Sequence, residues 1–356
     1  MKQLLTHSRV QCFKTCRKKH WWAYEIGLRA EVDAKALRMG SIGHAGLDAI
    51  KRCGSVEQAA DVVHAAYATC PDNKDVYEWA IERETVECLL RGYHWRWQDS
   101  RLEIVASEQE FHLPLRNQAT GYPSRLWDLA GKIDGVVRLE DRRLAVQEHK
   151  FLGEPIGQES DYWRRLQIDP QVTIYTYAAR ESGYDTSTVL FDVVRKPTIR
   201  PEAVPICDGE GLKIVLDADG ERVLTKQGKP RQTGSTADSY VVQTRPMTPD
   251  EWAGKLLADI RKRPDFYFSR HEIARLDSDI ADCLEELWDV QETMRDAQLR
   301  NRWYKTVGRD SCPWCPYFGL CTSRYDPKDN GVPEGFVKLE NVHPELEEYR
   351  EHSCPH

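Results

Sequence analysis

The sequence predicts an α/β protein with helical regions on both sides of a strand-rich core. Apolar residues recur at helical spacing through most of the first hundred residues, and helical spacing returns after residue 248. Between them, short runs of alternating apolar residues are broken by polar turns. We therefore divide the chain into five segments: a helical region (1–100), the strand-rich core (101–197), a β-rich insertion or flap (198–247), a helical region with a cysteine loop (248–325) and a polar tail (326–356).

The individual elements follow from spacing and from the residues that begin or end them. Val10, Phe13 and Trp21 predict an amphipathic opening helix, Pro71 begins a later one, and Pro197 ends a strand. Gly, Asp, Thr and Pro dominate the insertion, which indicates short hairpins. The predicted helices are 8–28, 41–51, 71–97, 158–182, one from 249 and 269–303. The predicted strands are 104–105, 111–113, 125–139, 143–152 and 188–194.

Composition excludes several classes of protein. The chain has 40% hydrophobic and 30% charged residues, which is typical of a globular protein, and no apolar run approaches the ~20 residues of a membrane span. The start, Met1 to Leu5, lacks the apolar stretch of a secretory signal, so we expect a cytoplasmic protein without disulfides. The net charge of −7 argues against coating nucleic acid by bulk charge, although a local basic groove remains open.

A predicted hairpin brings acidic residues together. Gly131-Lys132-Ile133-Asp134 and Val146-Gln147-Glu148-His149-Lys150 flank a polar turn centred on residue 141, which places Asp134 opposite Glu148. Side chains alternate along a strand, so Glu148 and Lys150 share a face. Clustered carboxylates repel, and a divalent cation relieves that repulsion. The hairpin is therefore a candidate magnesium site, with a solvated cross-strand salt bridge as the simpler interpretation.

Three other residues join this site in the prediction. His44 lies in a helical stretch, where its imidazole would complete the metal sphere, although a lone helical histidine is more often structural. Gln171 and Tyr175 are four residues apart and so share a helix face, where they would position a water or a phosphate. Core packing is the alternative for Tyr175.

The cysteines form a second constellation. Cys312, Cys315 and Cys321 stand in a loop rich in Pro and Gly, and three thiolates need a fourth ligand to complete a zinc site or an iron-sulfur cluster. We predict Cys16 as that ligand, with Cys12, one helical turn earlier, as the alternative. The metal would then close a very long loop and act as a structural clasp. Three buried free thiols are the simpler interpretation, and the other cysteines are treated as isolated: Cys53, Cys70, Cys88, Cys207, Cys283 and Cys354.

The order of these motifs resembles the RecB-like branch of the PD-(D/E)XK nuclease superfamily. The likeness is greatest to its iron-sulfur group, which contains CRISPR-associated exonucleases and the AddB nuclease domain. The likeness spans Cys16 to Cys321 but does not include the insertion. It departs from the family's usual residues at Arg17 and at 151–153. The motifs that carry it, in order, are Cys16-Arg17-Lys18, Gly43-His44, Glu108 to Glu110, Gly131 to Asp134, Glu148-His149-Lys150, Gln171 to Tyr175, and Cys312, Cys315 and Cys321.

The resemblance implies a restriction-endonuclease-like core, with a central mixed β-sheet flanked by helices, and a C-terminal iron-sulfur clasp. It implies that His44, Asp134, Glu148 and the backbone carbonyl of His149 bind Mg²⁺ or Mn²⁺. Lys150 would orient the attacking water or stabilise the charged phosphorane. Gln171 and Tyr175 would support the site or the nucleic-acid backbone. Cys16, Cys312, Cys315 and Cys321 would hold a 4Fe-4S cluster.

The expected function is metal-dependent exonuclease cleavage at DNA ends, and the preference for ends rests on the resemblance alone. No G-x-x-x-x-G-K-[ST] motif occurs, so unwinding would need a helicase partner. Recombination or repair, in a phage-encoded setting beside an annealing protein, is favoured over CRISPR adaptation. The alternatives are a non-catalytic, cluster-bearing DNA-binding or assembly subunit and, for the cysteines, zinc in place of the cluster.

Overall fold

A computed structural model describes residues 2–31, 35–343 and 346. It confirms the predicted mixed α/β architecture, with a central six-stranded mixed sheet flanked by helices. The strand order is β1-β4-β5-β6-β11, with β3 paired to β4. These strands are β1 (Gln3–Leu5), β3 (Glu103–Arg116), β4 (Pro123–Arg138), β5 (Leu144–Leu152), β6 (Thr186–Arg195) and β11 (Phe268–Ala274). No helix in the described ranges is both long and apolar enough to cross a membrane.

The predicted register of the central hairpin is confirmed. β4 and β5 are antiparallel, and Gly135 pairs with Gln147, one step from the predicted pair of Asp134 and Glu148. β5 then continues parallel to β6. β3 pairs with one edge of β4. On the opposite edge of β4, β1 pairs with residues 127–129 and β5 pairs with residues 135–138. Within the described chain, this leaves residues 130–134 of that edge without a strand neighbour.

Helices pack on both faces of the sheet. Because side chains alternate along β6, Val193 lies in one core with α7 and α10, and Val194 lies in another with α5 and α8. The helices are α1 (His7–Thr15), α2 (Arg17–His20), a π-helical turn (Trp21–Glu25), α3 (Lys35–Cys53), α4 (Val56–Ala66), α5 (Val76–Arg96), α6 (Asp161–Leu166), α7 (Pro170–Glu181), α8 (Pro249–Lys262), α9 (Pro264–Tyr267), α10 (Asp277–Arg300), α11 (Phe318–Thr322) and α12 (Pro327–Asn330).

The remaining strands form three small two-stranded sheets. Two of these belong to the insertion, whose stem is the pairing of β7 with β10. The third joins β2, near the start of the chain, to β12, near its end. Their bounds are β2 (Leu28–Ala30), β7 (Ala203–Pro205), β8 (Val215–Leu216), β9 (Val241–Val242), β10 (Thr244–Pro246) and β12 (Phe336–Lys338).

Five predicted helices are wrong in extent. The helix predicted at 41–51 is the longer α3 (Lys35–Cys53), and the one predicted to begin at Pro71 begins at Val76, after the cap Asp75. The other three are interrupted or begin late. The opening helix is broken at Cys16, whose backbone is extended, and it follows a strand that the pattern did not indicate. The helix at 269–303 begins only at Asp277, because the preceding residues pair with β6 as β11. The helix at 158–182 is divided into α6 and α7 by a turn before Pro170. In these three cases tertiary pairing or a local turn overrides apolar spacing.

The prediction of no disulfides is also wrong, because Cys53 is disulfide-bonded. Nine other described cysteines are free, including all four predicted ligands. Cys354 and most of the residues after 343 lie outside the described part of the chain, and with them the end of the predicted polar tail.

Candidate active site

The candidate site lies where β4 and β5 separate. The Asp134 carboxylate is at the last position of β4 before pairing with β5 begins, and its Oδ2 accepts a hydrogen bond of 2.8 Å from the backbone N–H of His149. Nδ1 of His44, on α3, lies 3.4 Å from the same oxygen. The structure thus brings together two of the predicted side chains and the backbone of a third residue.

The other predicted side chains, which come from β5 and α7, form a hydrogen-bonded group. Lys150 Nζ donates to Glu148 Oε1 at 2.6 Å and to Gln171 Oε1 at 2.9 Å. Gln171 Nε2 donates to Glu148 Oε1 at 2.8 Å and to the hydroxyl of Tyr175 at 3.1 Å. All four predicted side chains therefore form one network, which joins the strand to α7.

Local sequence explains why α7 presents Gln171 to the strand. Asp169 caps the helix, accepting a 2.8 Å hydrogen bond from the backbone N–H of Gln171, and Pro170 occupies the first helical position. Tyr175 follows one turn later on the same face. Gln171 is thus fixed at a helix start, where its backbone is already held by the cap.

A cavity of about 410 Å³ opens at this site. His44, Asp134, Lys150 and Tyr175 line it, whereas Glu148 is only 3% exposed. Burial and the nearby Asp134 charge raise the pKa of Glu148 to about 7, against the lowering effect of Lys150. Burial would also raise the pKa of Asp134, but His44 and then His149 hold it well below its usual range. The two carboxyl groups thus differ in their readiness to ionise.

The donor chemistry fits a hard divalent cation. In the described ranges no three His, Cys, Asp or Glu side chains are grouped closely enough to hold a metal ion, and Asp134 and Glu148 each hydrogen-bond to other protein groups. However, Oε2 of Glu148 is buried and accepts no hydrogen bond from any residue that the structure describes. A buried carboxylate oxygen without a partner is costly, and a cation is one group that would satisfy it.

The sequence interpretation missed several residues of this cavity, of which Lys51 and His7 carry titratable groups close to the site. Lys51 lines it and donates a 3.3 Å hydrogen bond to the backbone carbonyl of Asp134. His7, at the start of α1, also lines it, with Nε2 3.7 Å from Asp169 Oδ1. Helical spacing was a usable signal for Lys51, since His44, Asp48 and Lys51 lie on one face of α3. For His7 we find no local signal, because its position depends on how α1 packs against α7.

The four predicted cluster cysteines line one cavity, although in the described ranges they are not grouped closely enough to hold a metal ion. Cys16, Cys312, Cys315 and Cys321 line one cavity of about 240 Å³, and Cys12 does not. The backbone N–H of Thr306 donates to Cys16 Sγ at 3.4 Å, and that of Gly308 to Cys312 Sγ at 3.4 Å. Burial raises the pKa of Cys12 to about 11, which disfavours its thiolate. The geometry therefore favours Cys16 over Cys12 as the fourth thiol of this group.

Comparison with protein families gave a match over most of the chain. A family model described as the PD-(D/E)XK nuclease superfamily matches residues 4–322, nearly the whole chain. A search among curated proteins found no relative. The matched range includes both the site at Asp134 and Glu148 and the cysteine-lined cavity.

Proposed function

Because the chain belongs to the PD-(D/E)XK nuclease superfamily, we propose that it is a Mg²⁺- or Mn²⁺-dependent exonuclease that cleaves phosphodiester bonds at DNA ends. We place it in the RecB-like iron-sulfur group, with a role in recombination or repair. The observation that carries the proposal is the hydrogen-bonded group of Glu148, Lys150 and Gln171 beside Asp134 and His44. A salt bridge alone would not explain why this group adjoins a cavity and leaves a buried Glu148 oxygen unsatisfied.

His44, Asp134, Glu148 and the backbone carbonyl of His149 would hold the metal ion. When bound, the metal lowers the barrier by activating water and by neutralising charge on the phosphate. The His149 N–H and His44 fix the orientation of the Asp134 carboxylate. Glu148 is buried away from bulk water and Lys150 lies beside it at the cavity, so their charges act strongly on a bound phosphate.

Lys150 has the chemistry of an electrostatic and orienting group. Burial alone would lower the pKa of its ammonium, but Glu148 raises it, so Lys150 stays protonated at neutral pH. An ammonium has three donors, two of which bond to Glu148 and Gln171. The third remains for the attacking water or a phosphate oxygen, and Gln171 prevents the side chain from turning away.

We also propose that Cys16, Cys312, Cys315 and Cys321 bind a 4Fe-4S cluster. Support comes from their shared cavity and from the two N–H groups that donate to cysteine sulfurs, since hydrogen bonds to sulfur are a common feature of such sites. Zinc has the same ligand preference, so metal analysis must separate the two.

The nuclease proposal is tested with end-labelled linear DNA, single- and double-stranded, and with closed circular DNA, each with Mg²⁺ or Mn²⁺. We expect the wild-type protein to degrade linear DNA and to leave circles intact. Asp134→Ala and Lys150→Ala should each lose at least about 100-fold in rate, because removing one electrostatic group typically costs that much. Glu181→Ala, at the exposed end of α7, is the matched control and should be fully active.

Three results would contradict this proposal. Cleavage of closed circles at the same rate would exclude an exonuclease. Wild-type protein that cuts no DNA with either metal, yet binds it, would support the non-catalytic DNA-binding subunit. Activity that survives in Asp134→Ala would place the chemistry at another site.

A further inference from the structure

A second, larger cavity lies next to the candidate active site. Its volume is about 1010 Å³, and Ala36, at the start of α3, lines both cavities. Its walls come from α3 and α5 on one side and from the two ends of the insertion on the other, where β7 pairs with β10. We call this cavity the stem groove, after the stem of the insertion that forms its wall.

The stem groove has an excess of positive charge. Lys35, Lys196, Arg200 and Arg245 line it, against Glu78 and Glu202. Arg245 is paired with Glu251 at 2.7 Å, and Glu202 is paired with Lys255 at 2.7 Å. This leaves three cations against one carboxylate, in a chain whose net charge is −7. The local sign of the charge is therefore opposite to that of the whole molecule.

These three cations are available to a ligand. Lys35 Nζ is 3.9 Å from Glu82, which Arg38 already binds through two hydrogen bonds. Lys196 donates to the backbone carbonyl of Ala36 at 2.8 Å, which leaves two of its three donors. Over the described ranges, neither Lys196 nor Arg200 has a carboxylate within ion-pair distance, and Arg200 is exposed.

The rest of the lining suits nucleobases. It includes the half-buried ring of Tyr77 and the apolar surfaces of Met39, Ile199, Pro201 and Pro246. Single-strand binding sites combine cations that follow the phosphates with aromatic and apolar surfaces on which bases stack. The stem groove has both components.

We propose that the stem groove binds the single-stranded part of the DNA substrate, a few nucleotides from the bond that is cut. This inference rests on the proposed function, because it extends that same site. Ala36 and His44 are eight residues apart on α3, or about 12 Å along the helix. A stacked strand advances about 3.4 Å per nucleotide, so the groove meets the strand about three or four nucleotides from the metal site.

The size of the groove favours one strand over two. Its volume is near the upper end of the range for small-molecule sites, so it holds a short piece of a single strand. A duplex, by contrast, needs a surface comparable with its helical turn of about 34 Å. The proposal also gives a role to the insertion, whose first residues supply Arg200 and whose stem forms one wall of the groove.

The test measures binding rather than cleavage, so its outcome does not depend on nuclease activity. Asp134→Ala protein is titrated with a labelled 20-nucleotide single strand over a range of salt concentrations. The slope of log K against log salt for single strands is about −0.7 per neutralised phosphate, so Lys35→Ala/Arg200→Ala should make the slope shallower by about 1.4. The control is Arg125→Ala/Arg164→Ala in the same background, which removes the same charge from exposed positions elsewhere.

A further arm defines the ligand. A blunt 20-base-pair duplex should bind equally to the Lys35→Ala/Arg200→Ala protein and to the control protein. The proposal is overturned if the slope for the 20-nucleotide strand is the same in both proteins, or if the duplex loses as much affinity as the single strand. If the wild-type protein proves to have no nuclease activity but the slope changes as expected, the groove stands and the proposed function fails.

Discussion

Gln171 joins the two catalytic candidates of β5 to a helix. It accepts a hydrogen bond from Lys150 and donates one to Glu148, so it fixes both side chains at once. Its own backbone is held by the Asp169 cap. Gln171 therefore acts as a positioning residue in the proposed site, and its removal should displace the side chains of Glu148 and Lys150.

Removing this side chain provides a test. We expect Gln171→Ala to lower kcat by about 10- to 100-fold with little change in KM, because small displacements of a catalytic group cost this much without affecting DNA binding elsewhere. The measurement is steady-state cleavage of an end-labelled strand, with Glu181→Gln on the same helix as control. A fall in kcat accompanied by a clear fall in melting temperature would instead indicate a structural role. An unchanged kcat would remove Gln171 from the site.

At the scale of elements, much of the site could be predicted because β4 and β5 are neighbours in sequence. Alternation and a short polar turn were enough to set their register, and with it the relation of Asp134 to Glu148. β1 and β11 could not be predicted in this way. Their partners β4 and β6 lie far along the chain, and a three-residue strand such as Gln3–Leu5 carries no period of its own.

The position of His44 depends on how closely α3 approaches the sheet and α5. Gly43 and Gly46 make that approach possible, because a Cβ on Gly43 would meet the ring of Phe151 and one on Gly46 would meet Leu90. Leu90 is 1% exposed and belongs to the core that includes α5, so it has little room to move. Small residues on this face of α3 thus help to place His44 beside β5.

This packing predicts opposite effects for two alanine substitutions in the same helix. Gly46→Ala should lower the free energy of unfolding by about 1 to 2 kcal/mol, because overpacking of about 1 to 3 kcal/mol exceeds the gain in helix propensity. Gly40→Ala should raise it by up to about 1 kcal/mol, since a Cβ there meets no atom of the described residues within 4 Å. Denaturant unfolding measures both. A stabilised Gly46→Ala protein would show that α3 and α5 are less closely packed.

At the scale of the whole molecule, the two ends of the described chain hold each other. β2 pairs with β12, the Tyr317 hydroxyl donates to the carbonyl of Leu28 at 2.7 Å, and a small core forms around Trp22 and Leu320. The cysteine-lined cavity lies between the same two segments. These contacts alone thus connect the two ends of the described chain, and a cluster would add bonds from the metal to cysteines of both segments.

The sequence predicted this closure only in part. The spacing of Cys312, Cys315 and Cys321 indicates a metal site, and Cys16 is its predicted fourth ligand. The strand pair β2–β12 was not predicted, because three-residue strands in a polar region give no pattern. The disulfide at Cys53 was missed for a different reason, since redox compartment was inferred from the start of the chain rather than from any local feature.

If the proposed cluster is a clasp, losing one ligand should weaken the whole molecule. We expect anaerobically purified wild-type protein to be coloured and to contain about four irons, and Cys312→Ser to lose iron and to melt several degrees lower, because a long-range closure limits the unfolded chain. Cys207→Ser, which alters an exposed free thiol in the insertion, is the control and should change neither property. Colourless protein that contains zinc would show that the four cysteines hold zinc in place of the cluster, and the zinc would still act as the clasp. If Cys312→Ser loses iron at an unchanged melting temperature, the β2–β12 pairing and its core hold the ends together without the metal.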